Sequence, residues 1–119
     1  MQAQKLSIIF QKPPYQTPNA QDAIDFTLAA AAFIKDVQVF FIEDGIYQLL
    51  HQQQAPLGLS NLAKQIPILH NLDIERVYAD AKSIQLRQIK TTDLIQSIKI
   101  IKRDEIKTLM QSSNMIVSY

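Results

Sequence analysis

Apolar residues fall in five short runs along the chain, and stretches with helical spacing separate them. Residues 6–10 (LSIIF) are β-branched and aromatic and are stopped by Pro13-Pro14, which predicts a first strand. The polar QKPPYQTPN is a loop. Thr17-Pro18 offers one helix start, a Thr cap with Pro at the first helical position; Asn19 with Asp22 three residues later offers another. Either start leads into a helix over about residues 20–34, which packs Ala29 to Ala32 beside Phe26, Leu28, Phe33 and Ile34. Alanine favours helix and lets another backbone come close, so this helix is expected against a sheet or a neighbouring subunit. Residues 37–42 (VQVFFI) are nearly all apolar rather than alternating, the pattern of a strand covered on both faces.

Gly45 follows, and Ile46, Tyr47, Leu49 and Leu50 predict a short helical turn before the loop HQQQAPLG. Ser60 is placed to cap a helix running to about residue 69, interrupted or ended near Pro67, with Leu62, Ile66 and Leu69 on one face. Residues 74–79 (IERVYA) alternate toward a third strand and residues 80–89 read as a short helix. Residues 96–101 (QSIKII) are a fourth strand, 104–111 (DEIKTLMQ) a helix with acids in its first turn, and 114–119 (NMIVSY) a fifth strand. Strands alternating with helices and joined by right-handed crossovers predict an α/β chain, a three-layer α/β/α domain with a five-stranded, mainly parallel sheet. No repeat divides the chain, so residues 1–119 read as a single domain.

Composition narrows the chemistry. The 119 residues contain no cysteine, which excludes a thiol nucleophile, a persulfide carrier, a disulfide or a cysteine-ligated zinc on this chain. Twelve basic and eleven acidic residues leave a net charge of +1 with no long block of one sign, so direct nucleic-acid binding is not expected as the main task. The apolar stretch 28–34 is far below the ~20 residues of a membrane span, and 6–10 is too short for a signal-peptide core. The expectation is a soluble cytoplasmic protein without a membrane role.

Glu43-Asp44-Gly45 lies at the carboxyl end of a predicted strand, where open α/β sheets usually bind ligands. The two acids are candidates for Mg²⁺ binding or general-base work, and a small hydrolase or nucleotide-binding enzyme using Asp44 or Glu43 is one reading. Adjacent strand residues point to opposite faces, however, so the pair acts together only where the strand has already turned. The other reading is architectural: Asp44 bonds its own backbone and Gly45 takes positive φ. His51 and His70 have no metal-ligand spacing, and neither G-x-G-x-x-G nor a P-loop exists among two glycines. No cofactor and no metal are expected. Lys99, Lys102, Arg103 and Lys107 form a basic cluster, but Asp104 and Glu105 interrupt it, as on a solvated helix face. Phe40, Phe41, Ile46, Tyr47, Leu49, Leu50 and Leu57 put much apolar surface near the strand ends; whatever part is not core points to a partner, whether other subunits or copies in a stand-alone homo-oligomer.

The order of elements and several stretches resemble the TusC/DsrF-like sulfur-relay subunits of the DsrE/DsrF/DsrH group. The most specific piece is FFI-x-DG-[IV]-x-QLL, here Phe40 to Leu50; "DAIDFTLAAAAF", "LDIERVYADAKSIQLRQI" with Ser83 and Arg87, and the terminal "NMIVSY" support it. The resemblance implies a five-stranded parallel sheet of order 4-3-2-1-5. It also implies a non-catalytic subunit beside TusB-like and TusD-like partners in a dimer of heterotrimers. That complex takes persulfide sulfur from TusA on a TusD cysteine and passes it to TusE for 2-thiolation of the tRNA wobble uridine. Related sequences often carry Arg-Glu-Gly where this chain has Gln21-Asp22-Ala23, and some carry cysteines near Val77 and Asp80. With no thiol, this chain is expected to scaffold or shield a partner's cysteine. Asp44, Gly45, Ile46, Tyr47, Gln48 and Leu49 are the candidate partner interface.

Overall fold

A computed structural model describes residues 4–15, 17–53, 55–59 and 61–119. Five strands, β1 (Lys5–Phe10), β2 (Asp36–Phe41), β3 (Arg76–Asp80), β4 (Lys99–Ile101) and β5 (Met115–Ser118), form one sheet of order β4-β3-β2-β1-β5. Every strand pair is parallel. The helices are α1 (Asn19–Ala30), α2 (Ile68–Asn71), α3 (Ala81–Leu86) and α4 (Arg103–Gln111). Because β1 to β4 step across the sheet in one direction, their right-handed crossovers fall on one face; the return from β4 to β5 carries α4 to the other. Two apolar clusters follow from this. The larger joins Leu6, Ile8, Phe10, Val39 and Phe41 to Ala23 and Ile24 of α1, Leu69 of α2 and Ile84 of α3. The smaller joins Phe40 and Ile101 to Ile106 of α4. The architecture is the expected three-layer α/β/α arrangement.

β2 is buried along nearly its whole length, as its unalternating pattern implies, and even Gln38 is enclosed. The Gln38 amide donates to Ser7 Oγ at 2.8 Å and to the Leu109 carbonyl at 2.9 Å, and Ser7 in turn bonds Ser113. This polar seam ties the carboxyl end of α4 to the two central strands.

Three helices differ from their predicted extents, α3 in ending at Leu86 rather than near residue 89. α1 ends at Ala30 rather than near Ile34, with its last amides, Ala32 to Ala29 and Phe33 to Ala30, tightening into three-residue turns before β2. Its buried stripe is Ala20, Ala23, Ile24, Thr27 and Ala30, at helical spacing. Ala29 and Ala32 face outward and only Ala30 of the run belongs to the buried stripe, so the alanine run is chiefly where the helix stops. The helix expected over residues 60–69 is two pieces, a turn at Leu62–Lys64 and α2, with Pro67 at the start of α2. Ser60 lies outside the described residues; the observed cap is Asn61, whose Oδ1 accepts from the Ala63 amide at 2.9 Å. A turn at Thr91–Asp93 and a bridge between Leu50 and Leu94 had no counterpart in the apolar pattern.

Candidate functional site

β2 stops at Phe41, and Glu43–Leu49 is a continuous run of three-residue turns. The strand has therefore already turned when it reaches the acids. The left-handed residue of this corner is Glu43 (φ 49°), not Gly45. Gly45 answers a different need: a Cβ there would lie 2.0 Å from the Phe10 carbonyl oxygen and 2.6 Å from its carbon. The corner packs backbone to backbone on the end of β1, where no side chain fits. Within the turn, side chains repeat every three residues. Ile46 and Leu49 point into the core, Gly45 and Gln48 are also buried, and Asp44, Tyr47 and Leu50 lie outward.

Beyond the carboxyl ends of β2 and β3, six polar residues from four elements converge. Asp80, the last residue of β3, is fully buried and caps α3, accepting from the amides of Lys82 at 3.3 Å and Ser83 at 3.2 Å. The same carboxylate accepts the Ser83 hydroxyl at 2.6 Å and Arg103 Nε and Nη2 at 3.1 and 2.6 Å. Ser83 Oγ accepts the Glu43 amide at 2.8 Å, which fixes the left-handed corner to the start of α3. The Glu43 carboxylate bridges Arg103 at 3.2 Å and Arg87 at 3.4 Å. Arg87 Nε and Nη2 both donate to Asp44 Oδ1, at 3.1 and 2.9 Å, and its Nη1 donates to the Ser83 carbonyl at 3.3 Å.

Burial alone would raise the Asp80 pKa, but the Ser83 hydroxyl, the Arg103 bonds and charge, and the Lys82 amide together hold it below the usual carboxylate value. Arg103 is correspondingly held above its usual value, chiefly by its bond to Asp80. Three carboxylates thus sit on two guanidiniums, each with an assigned partner. Asp44 and Glu43 do converge, yet on Arg87 and not on an open position for a metal or a reacting proton. Their ion pairs lie at the surface, with the carboxylate side chains about half exposed. Asp44→Asn is accordingly expected to change stability by less than about 1 kcal/mol in urea unfolding.

The remaining candidates lie elsewhere. His51 Nε2 donates to the Thr92 carbonyl at 3.1 Å and His70 Nε2 to the Ser97 carbonyl at 2.7 Å, so both imidazoles fasten the 92–97 segment. Among the described residues no group of three or more His, Cys, Asp or Glu is arranged to hold a metal ion. Arg103 leaves the basic cluster to serve Asp80 and Glu43. Phe40, Phe41, Ile46 and Leu49 belong to the core, whereas Leu57 stands fully exposed on its loop. A cavity of about 460 Å³ beside the start of α1 is lined by Tyr15, Pro18, Gln21, Asp22, Leu59 and Leu62. Tyr15 walls it, its hydroxyl donating to Gln53 Oε1 and accepting from the Leu62 amide at 3.1 Å. Sequence reasoning noted Ser83 and Arg87 only as parts of a motif and did not join Asp80 to Arg103, which are 23 residues apart.

Sheet order, crossovers and a polar cluster beyond the strand ends place the chain among three-layer α/β proteins built on an all-parallel five-stranded sheet. More particularly, it belongs to the DsrE/DsrF-like family, whose model matches residues 4–119. It is 28% identical over 116 residues to a protein named TusC homolog from Vibrio vulnificus, covering 97% of this chain and 98% of that one. It is likewise 28% identical over 130 residues to the intracellular sulfur oxidation protein DsrF of Allochromatium vinosum, covering 97% and 96% of the two chains. The crystal structure of the ychN protein from E. coli superposes with a TM-score of 0.83 at 20% identity, over 98% of this chain and 99% of that one. A Methanobacterium thermoautotrophicum protein, MTH1491, superposes at 0.71 with 8% identity, over 97% and 99%. These two likenesses concern the fold. Among the described residues no helix is long and apolar enough to cross a membrane.

Proposed function

We propose that this chain, as a single domain over residues 1–119, is a non-catalytic subunit of a sulfur-relay complex of the TusBCD kind. There it supports persulfide transfer from TusA through a TusD-like cysteine to a TusE-like acceptor for 2-thiolation of the tRNA wobble uridine in the cytoplasm. The observation that carries the reading is a chain matched end to end by the family, with relatives named TusC and DsrF, that has no cysteine among its 119 residues. A chain without a thiol has no atom on which to carry a persulfide. Its contribution is then to hold and shield a partner's cysteine. Where some related sequences carry cysteines, Val77 sits in the core and Asp80 is bonded to Arg103.

Within the candidate interface, Asp44 and Tyr47 are the residues that reach the surface; Gly45, Ile46, Gln48 and Leu49 support them from inside. Co-expressed with TusB-like and TusD-like subunits, the chain is expected to co-purify in equal stoichiometry, and Tyr47→Asp to weaken that association without unfolding the chain. Purification as a species that never joins those subunits overturns the reading. So does turnover of a phosphate ester or nucleotide that Asp44→Asn abolishes, the outcome expected of an enzyme using that carboxylate.

A further inference from the structure

The connections change face between β3 and β4, and a cavity opens where they do. α3 leaves β3 for the face of the larger apolar cluster, which it joins through Ile84; α4 leaves the neighbouring β4 for the other face, which it joins through Ile106. Adjacent parallel strands whose helices part in this way make a switch point, the place where open α/β sheets leave a ligand crevice beyond the strand ends. A cavity of about 430 Å³ lies there, lined by Ala81, Lys82 and Gln85 of α3 and by Lys102, Arg103 and Asp104 at the start of α4.

The fold regroups the basic residues of the sequence around this cavity. Lys82 comes from α3 to join Lys102 and Arg103, so three cations stand in the wall against one carboxylate, Asp104. Lys82 and Lys102 make no ion pair among the described residues. Arg103 is fixed from behind: Nε and Nη2 donate to the fully buried Asp80, and Nη2 also to Glu43, while Nη1 has no partner among the described residues. A guanidinium held in this way offers its remaining N–H groups with little ordering cost.

We infer that this cavity binds a phosphate group, free or as the end of a small ester, between Lys82, Lys102 and Arg103. The number of donors selects the ligand. Three cationic side chains converge from two helices; a phosphate end presents three terminal oxygens to them, where a carboxylate presents two. The remaining wall, Ala81 and Gln85, carries no charge and leaves room for the body of a small ester. Binding there does not depend on the sulfur-relay reading.

Isothermal titration calorimetry of the full chain at constant ionic strength tests the site, with inorganic phosphate and glucose 6-phosphate as probes. Saturable binding of at least one probe is expected. Lys82→Ala and Lys102→Ala should each weaken it roughly tenfold, and Lys35→Ala, just before the amino end of β2, should leave it unchanged. All three lysines are exposed, so the circular dichroism spectrum is expected to stay that of the wild type. Tighter binding of the ester assigns the cavity to an organic phosphate; equal or weaker binding assigns it to the free ion. No saturable binding of either probe at millimolar concentration overturns the proposal. So do acetate bound as tightly as phosphate, an affinity that neither Lys82→Ala nor Lys102→Ala lowers, and an RNA hairpin without a terminal phosphate bound more tightly than both probes.

Discussion

Gly45→Ala is expected to lower the melting temperature by roughly 10–20 °C, corresponding to about 3 kcal/mol or more. The added methyl would sit 2.0 Å from the Phe10 carbonyl oxygen, and that atom belongs to the main chain of a central strand. No side-chain rotation relieves the contact. Either β1 or the corner must move, and both carry fully buried residues, Phe10 on one and Ile46 and Leu49 on the other. The other glycine supplies the control. Gly58 has φ +86° but open space around its missing Cβ, so Gly58→Ala meets only the left-handed penalty of about 1–2 kcal/mol. Thermal unfolding followed by circular dichroism separates the two. Equal shifts for both variants would show that close packing at Gly45 does not govern the corner.

Asp80→Ala is expected to cost about 3 kcal/mol in urea unfolding, through loss of the α3 cap and of the anion that Arg103 and Ser83 surround. Arg103 is partly exposed and can regain water, which keeps the loss at the low end for a broken buried pair. Asp80→Asn keeps an oxygen for the Lys82 and Ser83 amides and should fall between the wild type and Asp80→Ala. The carboxyl pKa is lowered on folding, so its contribution to stability is complete above the unfolded value of about 4 and declines as pH falls through the folded one. Stability measured from pH 6 down to pH 2 should therefore drop more steeply in the wild type than in Asp80→Asn. Parallel curves would show that Asp80 is not the group responsible.

The strands were legible because burial leaves its mark directly on composition: VQVFFI is nearly all apolar since β2 is covered on both faces, and its one polar residue, Gln38, is enclosed with the rest. Helix ends were less legible. Nothing in the alanine run marks a stop, and α1 ends there because β2 must begin at Asp36, a demand of the sheet and not of the local sequence. The strand order came from the family resemblance, since hydrophobic periodicity says which segments are strands and is silent on their neighbours. Gly45 illustrates a reason hidden from local reading: the expected positive φ falls on Glu43, and the glycine is required by a strand 35 positions earlier in the chain. Asp80 was read as the start of a helix, and it caps one; that Arg103 would cross from α4 to meet it depends on the return crossover placing that helix beside the end of β3.

The β1–β5 joint has a kinetic consequence. Lys5 and Asn114 are 109 residues apart, whereas Ser7 and Gln38, joining β1 to β2, are 31 apart. Closing the longer loop costs more chain entropy, so β1 is expected to pair with β2 before β5 arrives. Until it does, the outer edge of LSIIF is an unpaired, uncharged template for the same segment of another chain. The closing of that end of the sheet is then expected to set how long a newly unfolded molecule is open to aggregation.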